Sequence, residues 1–215
     1  MVILGLTGSI GMGKSTAAAM FRKLGVPVHD SDAEVHRVLA PGGRAVEPVE
    51  AAFPGVTVDG GIDRALLRGK VFGDSEALTR LETIIHPMVA DVRHRFLARC
   101  ASRRVALVVL DIPLLYETEN DRYCDATVVV SAPRFLQEAR VLSRPGMTRD
   151  TLAGILARQM PDAEKRRRAD FVVPSNLGRA VTLRRLKEIV TLLAKRKGRK
   201  WPPPPYLPIR RRPDA

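Results

Sequence analysis

Gly8-Ser9-Ile10-Gly11-Met12-Gly13-Lys14-Ser15 fits the spacing G-x-x-x-x-G-K-[ST]. The chemistry of that spacing is to hold a polyphosphate. Glycines let backbone N–H groups wrap phosphate oxygens, and the N-terminus of a following helix adds the positive end of its dipole. Gly11, Met12, Gly13, Lys14, Ser15 and Thr16 form the predicted nucleotide-binding stretch. Lys14 is placed to reach β- and γ-phosphates, and the Ser15 hydroxyl to bind Mg²⁺.

A phosphate loop does not name an acceptor, so carboxylates come next. Asp30 and Asp32 follow the apolar run Val26–His29. If the backbone stays extended, residues i and i+2 point the same way. Both carboxylates then face the cleft at the C-terminal end of a strand, one to take or orient a hydroxyl proton and one to hold Mg²⁺-bound water. The same pair fits equally well as caps of a helix over Ala33–Leu39, because Asp is a preferred N-cap residue. Asp111 closes the run Val108-Val109-Leu110. It reads either as a Mg²⁺-assisting carboxylate after a buried strand or as a turn residue. Arg140 and Arg144 are spaced i, i+4. On one face of a mobile helical lid they could stabilise the charge spread over a transferring phosphoryl group; a solvated basic face is the blander alternative. Lys165-Arg166-Arg167-Arg168 reads as ordinary surface. His86-Pro87 lies inside a helical pattern, where proline forces a kink that could aim the imidazole at a ligand. A buried, hydrogen-bonded histidine is the other reading of that position.

These residues need a scaffold, and alternating strands and helices predict an α/β fold with a parallel sheet. Residues 2–7, 26–29, 105–111, 126–130 and 170–173 are short, apolar and without alternation. Strands buried on both faces have this character. Thr16–Leu24 reads as a helix that Gly25 stops. Between Asp32 and Arg104 no comparable strand occurs, and 79–98 carries apolar residues at helical spacing. The expected divisions are a nucleotide-binding core over 1–32, 105–132 and 169–194, a helical insertion over 33–104, and an Arg-rich helical lid over 133–168. A basic, Pro-rich tail at 195–215 completes the chain. Pro202–Pro205 forbid a continued helix and predict an extended, poorly packed tail.

Composition narrows the class. The chain has 215 residues and a net charge of +13, with eight Lys/Arg against one Asp in residues 195–215. The basic balance suits a partner rich in phosphate, whether nucleotide, metabolite or nucleic acid. A nucleic-acid-binding NTPase is thus an alternative that salt dependence would separate. Cys100 and Cys124 are isolated, which suits a reducing cytoplasm, and no apolar run approaches a membrane span. Neither Asn-Lys-x-Asp nor a switch-type Asp-x-x-Gly follows the loop. The residues therefore point to a small-molecule kinase, with other metabolite or nucleoside kinases of the same fold as neighbours.

The ordered set of motifs resembles the dephospho-coenzyme A kinase family over roughly residues 2–190. It consists of Leu6–Thr16, Asp30-Ser31-Asp32, Ile62–Leu67 with Val71-Phe72, Ile85-His86-Pro87, Asp111–Glu117, Arg140 with Arg144, and Gln159. The resemblance implies a five-stranded parallel P-loop kinase sheet of order 2-3-1-4-5. It also implies ATP-dependent phosphorylation of the ribose 3′-hydroxyl of dephospho-CoA, with ATP and Mg²⁺ required. Asp32 becomes the expected base. Arg64 and His86 gain a substrate-side role beside Asp32 and Asp111, and the 33–104 insertion becomes the CoA-binding subdomain. Lys14, Arg140 and Arg144 are the expected catalytic cations, and Asn176 a nucleotide contact. A cytoplasmic monomer or weak homo-oligomer, with no nucleic acid or membrane partner, is expected. Several positions depart from the family pattern. Ser9 and Met12 stand where Gly and Ser are usual, and Ser31 where Ala is usual. Pro174-Ser175-Asn176-Leu177-Gly178 stands where Asp-Asn-x-Gly is frequent.

Overall fold

The five apolar runs become the five strands of one parallel sheet. They are β1 (Val2–Thr7), β2 (Val28–Asp30), β5 (Leu107–Asp111), β6 (Ala126–Ser131) and β7 (Phe171–Pro174). This computed structural model describes residues 1–202. The sheet order is β2-β5-β1-β6-β7, with every adjacent pair parallel. Counted over these five strands alone, that reads 2-3-1-4-5. The labels β3 (Thr57–Val58) and β4 (Gly61–Ile62) belong to a small antiparallel hairpin, which breaks the otherwise helical insertion. Its two-residue strands are too short to leave a periodic signal.

Helices cover both faces of the sheet, which explains why its strands lack alternation. On one face α1 (Lys14–Lys23) buries Ala17, Ala18 and Phe21, and α9 (Arg179–Leu193) buries Leu186, Ile189 and Leu193, against Leu4, Leu6, Val128 and Val130. On the other face Leu97 and Cys100 of α5 (Ser75–Ser102) pack on Ile3, Val108 and Leu110. The insertion has its own core. Val38 and Leu39 of α2 (Ser31–Leu39), Val49 of α3 (Val46–Ala52), Leu67 of α4 (Arg64–Val71) and Ile85 of α5 meet there with Phe53, Val56 and Ile62. Helix α5 runs unbroken through Pro87 and is shared by both cores. The Arg-rich block is three helices: α6 (Arg134–Leu142), α7 (Arg149–Ala157) and α8 (Asp162–Arg168).

The beginning of the tail is docked, where the sequence predicts a poorly packed segment. Asp125 accepts the N–H of Ile3 through one carboxylate oxygen and those of Arg199 and Lys200 through the other. Trp201 packs on the α5 face of the sheet and lies 5.2 Å from the His94 ring. Burial of an indole outweighs the polarity of its basic neighbours. The run Pro203–Pro205, Tyr206 and Arg210–Arg212 lies outside the described residues.

Candidate active site

The loop after β1 takes a shape that only glycine tolerates at two points. Gly11 and Gly13 have φ of +78° and +92°. A Cβ on Gly11 would also come within 2.6 Å of Val141 Cγ2. Gly13 caps α1, so the helix N-terminus opens onto the loop. The loop is clasped from outside. Gln159 Oε1 accepts the Ile10 N–H at 3.1 Å, and Gln137 Nε2 donates to the Ile10 carbonyl at 2.8 Å. Ser175 Oγ donates to the Met12 carbonyl at 2.7 Å. Arg140 donates to the Gly11 carbonyl and to both the hydroxyl and the carbonyl of Ser175.

A cavity of about 660 Å³ opens over this loop. Gly11, Gly13, Lys14, Ser15 and Thr16 line it, with Asp32, Pro113, Arg140, Arg144, Gln159, Ser175 and Arg179. Lys14 Nζ meets Asp111 Oδ1 at 2.5 Å, and the Asp111 side chain is almost wholly buried. Burial pushes the Asp111 carboxyl above its usual range; Lys14 opposes the rise, while Asp30 and Asp32 add to it. Three carboxylates thus share the field around one ammonium.

The two aspartates after β2 play different parts. The chain turns helical at Ser31, so the extended geometry that would point both the same way is lost. Asp30 caps α2 by accepting the Ala33 N–H at 3.0 Å. Asp32, in the first helical turn, is exposed and lines the cavity. Arg140 and Arg144 both line the cavity, but they do not share a helix. Helix α6 ends at Leu142, and Arg144 lies in the turn beyond it.

Other expected residues are not gathered here. Met12 is buried, its sulfur accepting the Ala132 N–H at 3.1 Å, so it contributes loop packing rather than a cavity wall. Asn176 is exposed outside the cavity, and its neighbours Ser175 and Arg179 line it instead. Arg64 and His86 lie on the helical insertion, both exposed and outside the cavity lining. Arg64 Nη1 lies 2.6 Å from His36 Nε2. The insertion approaches the lid segment where the Arg158 guanidinium lies 6.0 Å from the Phe72 ring centre. Gln137, Arg179 and Thr182 belong to no spacing motif, so no motif in the sequence marks them. A polar residue buried on an otherwise apolar helix face, as Gln137 is on α6, was the available signal.

Similarity to known proteins places the chain in a family. The dephospho-CoA kinase family model matches residues 2–180. The chain belongs to the dephospho-CoA kinase family. It is 62% identical over 193 residues to the dephospho-CoA kinase of Paramagnetospirillum magneticum, covering 90% of this chain and 91% of that one. To the enzyme of Mesorhizobium japonicum it is 52% identical over 198 residues, covering 92% and 100%. A Thermus thermophilus crystal structure superposes with a TM-score of 0.79 at 38% identity, over 89% of this chain and 97% of the other. The structure of dephospho-CoA kinase from Campylobacter jejuni shares the fold, with a TM-score of 0.59 at 22% identity, over 89% and 96%. The Ser175 hydroxyl accepts from Arg140 at 2.9 Å. Among the described residues, no helix is long and apolar enough to cross a membrane.

Proposed function

We propose that this member of the family transfers the γ-phosphoryl group of ATP to the ribose 3′-hydroxyl of dephospho-CoA, giving CoA and ADP. The observation that supports it best is one cavity lined by the glycine loop, Lys14 and Ser15 on one side and by Asp32 on the other. ATP lies with its phosphates on the N-terminus of α1. Lys14 leaves Asp111 for the β/γ-phosphate oxygens. Asp32 accepts the 3′-hydroxyl proton as the oxygen attacks the γ-phosphorus, and the bond to the β-phosphate oxygen breaks, releasing ADP. Arg140 and Arg144 stabilise the charge that spreads over the transferring group.

The residues fit Mg²⁺ held by one hydroxyl and by phosphate oxygens. Among the described residues no cluster of three His, Cys, Asp or Glu side chains could cage a metal, and Mg²⁺ at such sites keeps several waters and uses few protein ligands. Ser15 is the residue that would hold it, and its charge would neutralise that developing on the phosphates. The insertion, through Arg64 and His86, receives the CoA-type acceptor, and α6–α8 serve as lid. Because the acceptor-side residues stand outside the cavity lining, closure on the substrate brings them in.

The test is direct. Purified protein with ATP, Mg²⁺ and dephospho-CoA forms ADP and CoA, and a Lys14→Ala variant does not. No turnover above that variant, or faster turnover of adenosine or a nucleoside monophosphate than of dephospho-CoA, refutes the assignment.

A further inference from the structure

Lys165 begins the basic run that reads as surface, yet its side chain is 0% exposed. Its ammonium meets Glu117 Oε1 at 2.8 Å and lies 3.4 Å from the Pro113 carbonyl. That carbonyl also accepts the Thr7 hydroxyl at 2.9 Å, one residue before the glycine loop. Glu117 Oε1 accepts the Met160 N–H at 2.8 Å, one residue after Gln159. Gln159 in turn holds the Ile10 N–H within the loop. A second anchor lies three residues earlier, where Asp162 accepts the Ser131 hydroxyl at 2.7 Å at the end of β6.

The energetics of this pair argue against a purely stabilising role. Two charges taken out of water lose solvation that their attraction repays only in part, and apolar replacements are often neutral or better. Glu117 Oε2 is buried with no partner, which adds to the cost. Burial pushes the Glu117 carboxyl up, but Lys165 and the Met160 N–H outweigh it and hold it below its usual range. The contacts of Lys165 and Glu117 with each other, the Met160 N–H and the Pro113 carbonyl tie the segment between α7 and α8 to the turn that follows β5.

We propose that the buried Lys165–Glu117 pair is a positioning device for the phosphate loop: it sets Gln159 against Ile10 and so shapes the nucleotide cradle without touching the nucleotide. The inference rests on the reading that ATP occupies the loop. Lys165→Met leaves a buried, unpaired Glu117 and can fail to fold, so the deciding protein is Lys165→Met/Glu117→Gln. It carries neither charge and keeps an acceptor for Met160.

The experiment measures ATP affinity, thermal midpoint and Ile10 amide exchange on full-length protein. The double variant melts near the wild type, binds ATP about tenfold more weakly and exchanges the Ile10 amide faster. Placed on a Gln159→Leu background, the same two substitutions weaken ATP binding less than twofold further, because both act through one contact. Normal ATP affinity and normal Ile10 exchange in the double variant overturn the proposal. Losses that multiply with Gln159→Leu overturn it as well. A wild type without ATP affinity overturns the kinase reading itself, whereas a wild type that binds beside an equally competent variant removes this inference alone.

Discussion

The donor side and the acceptor side of the cavity are built differently. Around the glycine loop, Gln137, Gln159, Arg140 and Ser175 all hydrogen-bond to backbone groups of residues 10–12, and Met12 packs beneath. Across the cleft, Asp32, Arg64 and His86 are exposed, and only Asp32 reaches the cavity. A preformed cradle suits phosphates, whose oxygens need fixed donors. An open acceptor side suits a long, flexible substrate that orders its own pocket as it closes. On the proposed assignment, the difference means that nucleotide affinity and acceptor affinity depend on separate parts of the molecule and can be broken separately.

The sharpest break is Asp32→Asn. It lowers kcat by 10²- to 10⁴-fold if Asp32 is the base, while ATP affinity stays within about twofold of the wild type. Activity within tenfold of the wild type would move the base elsewhere, with Asp111 the next candidate. A calorimetric titration with ATP beside a coupled ADP assay separates the two quantities.

Acid should loosen the acceptor side before the donor side. His29, between Val28 and the cap residue Asp30, is buried against the Phe96 ring of α5, with Nε2 unpartnered. Its pKa is lowered from 6.5 to about 4, chiefly by burial, with Arg93 and Arg37 contributing and Asp30 opposing. The unfolded chain then binds the extra proton first, so stability is full above about pH 6.5 and falls as pH drops toward about 4. The expected loss over that window is up to roughly 3 kcal/mol. His29→Leu should flatten the curve, and in hydrogen exchange at pH 5 the wild type should open at β2 and α5 before the glycine loop. A curve unchanged by His29→Leu would assign the acid loss to another group.

Arg64→Ala and His86→Ala give a smaller and one-sided effect. Each raises the KM for dephospho-CoA about tenfold through loss of a charged or polar contact, with the KM for ATP unchanged. A rise in the ATP value instead would erase the division between the two sides. The smallest effect is expected at the docked tail. Trp201→Ala removes a half-buried indole and lowers stability by about 1–2 kcal/mol, with kinetics unchanged because Trp201 packs on the sheet away from the cavity. A change in either KM would show that the tail reaches the site.

The donor side was legible in the sequence because its chemistry is local. Eight consecutive residues carry the glycine conformations, the lysine and the hydroxyl, and the strands flanking them announce themselves as unbroken apolar runs. One of two open readings and one expectation gave way for one shared reason. The pairing of Asp30 with Asp32 assumed extended backbone, and the surface reading of Lys165 assumed that a basic run faces water. Helix α2 begins at Ser31, two residues before the expected Ala33, which turns Asp30 into a cap. Glu117, 48 positions earlier in the chain, draws Lys165 inward. Neither effect has a period or a spacing to detect.

By itself, the sequence determined the phosphate-loop chemistry, the strand–loop–helix that presents it, the parallel sheet and the ordered motifs of the family, since all of these follow from neighbours along the chain. Tertiary structure decided between the cap and cleft readings of Asp30, brought Gln137 beside Gln159 on the loop, and buried a lysine of a basic run. Those outcomes depend on residues brought together by the crossovers between parallel strands. A side chain's burial, partner and charge state are set by what packs against it in space, which a linear pattern does not record.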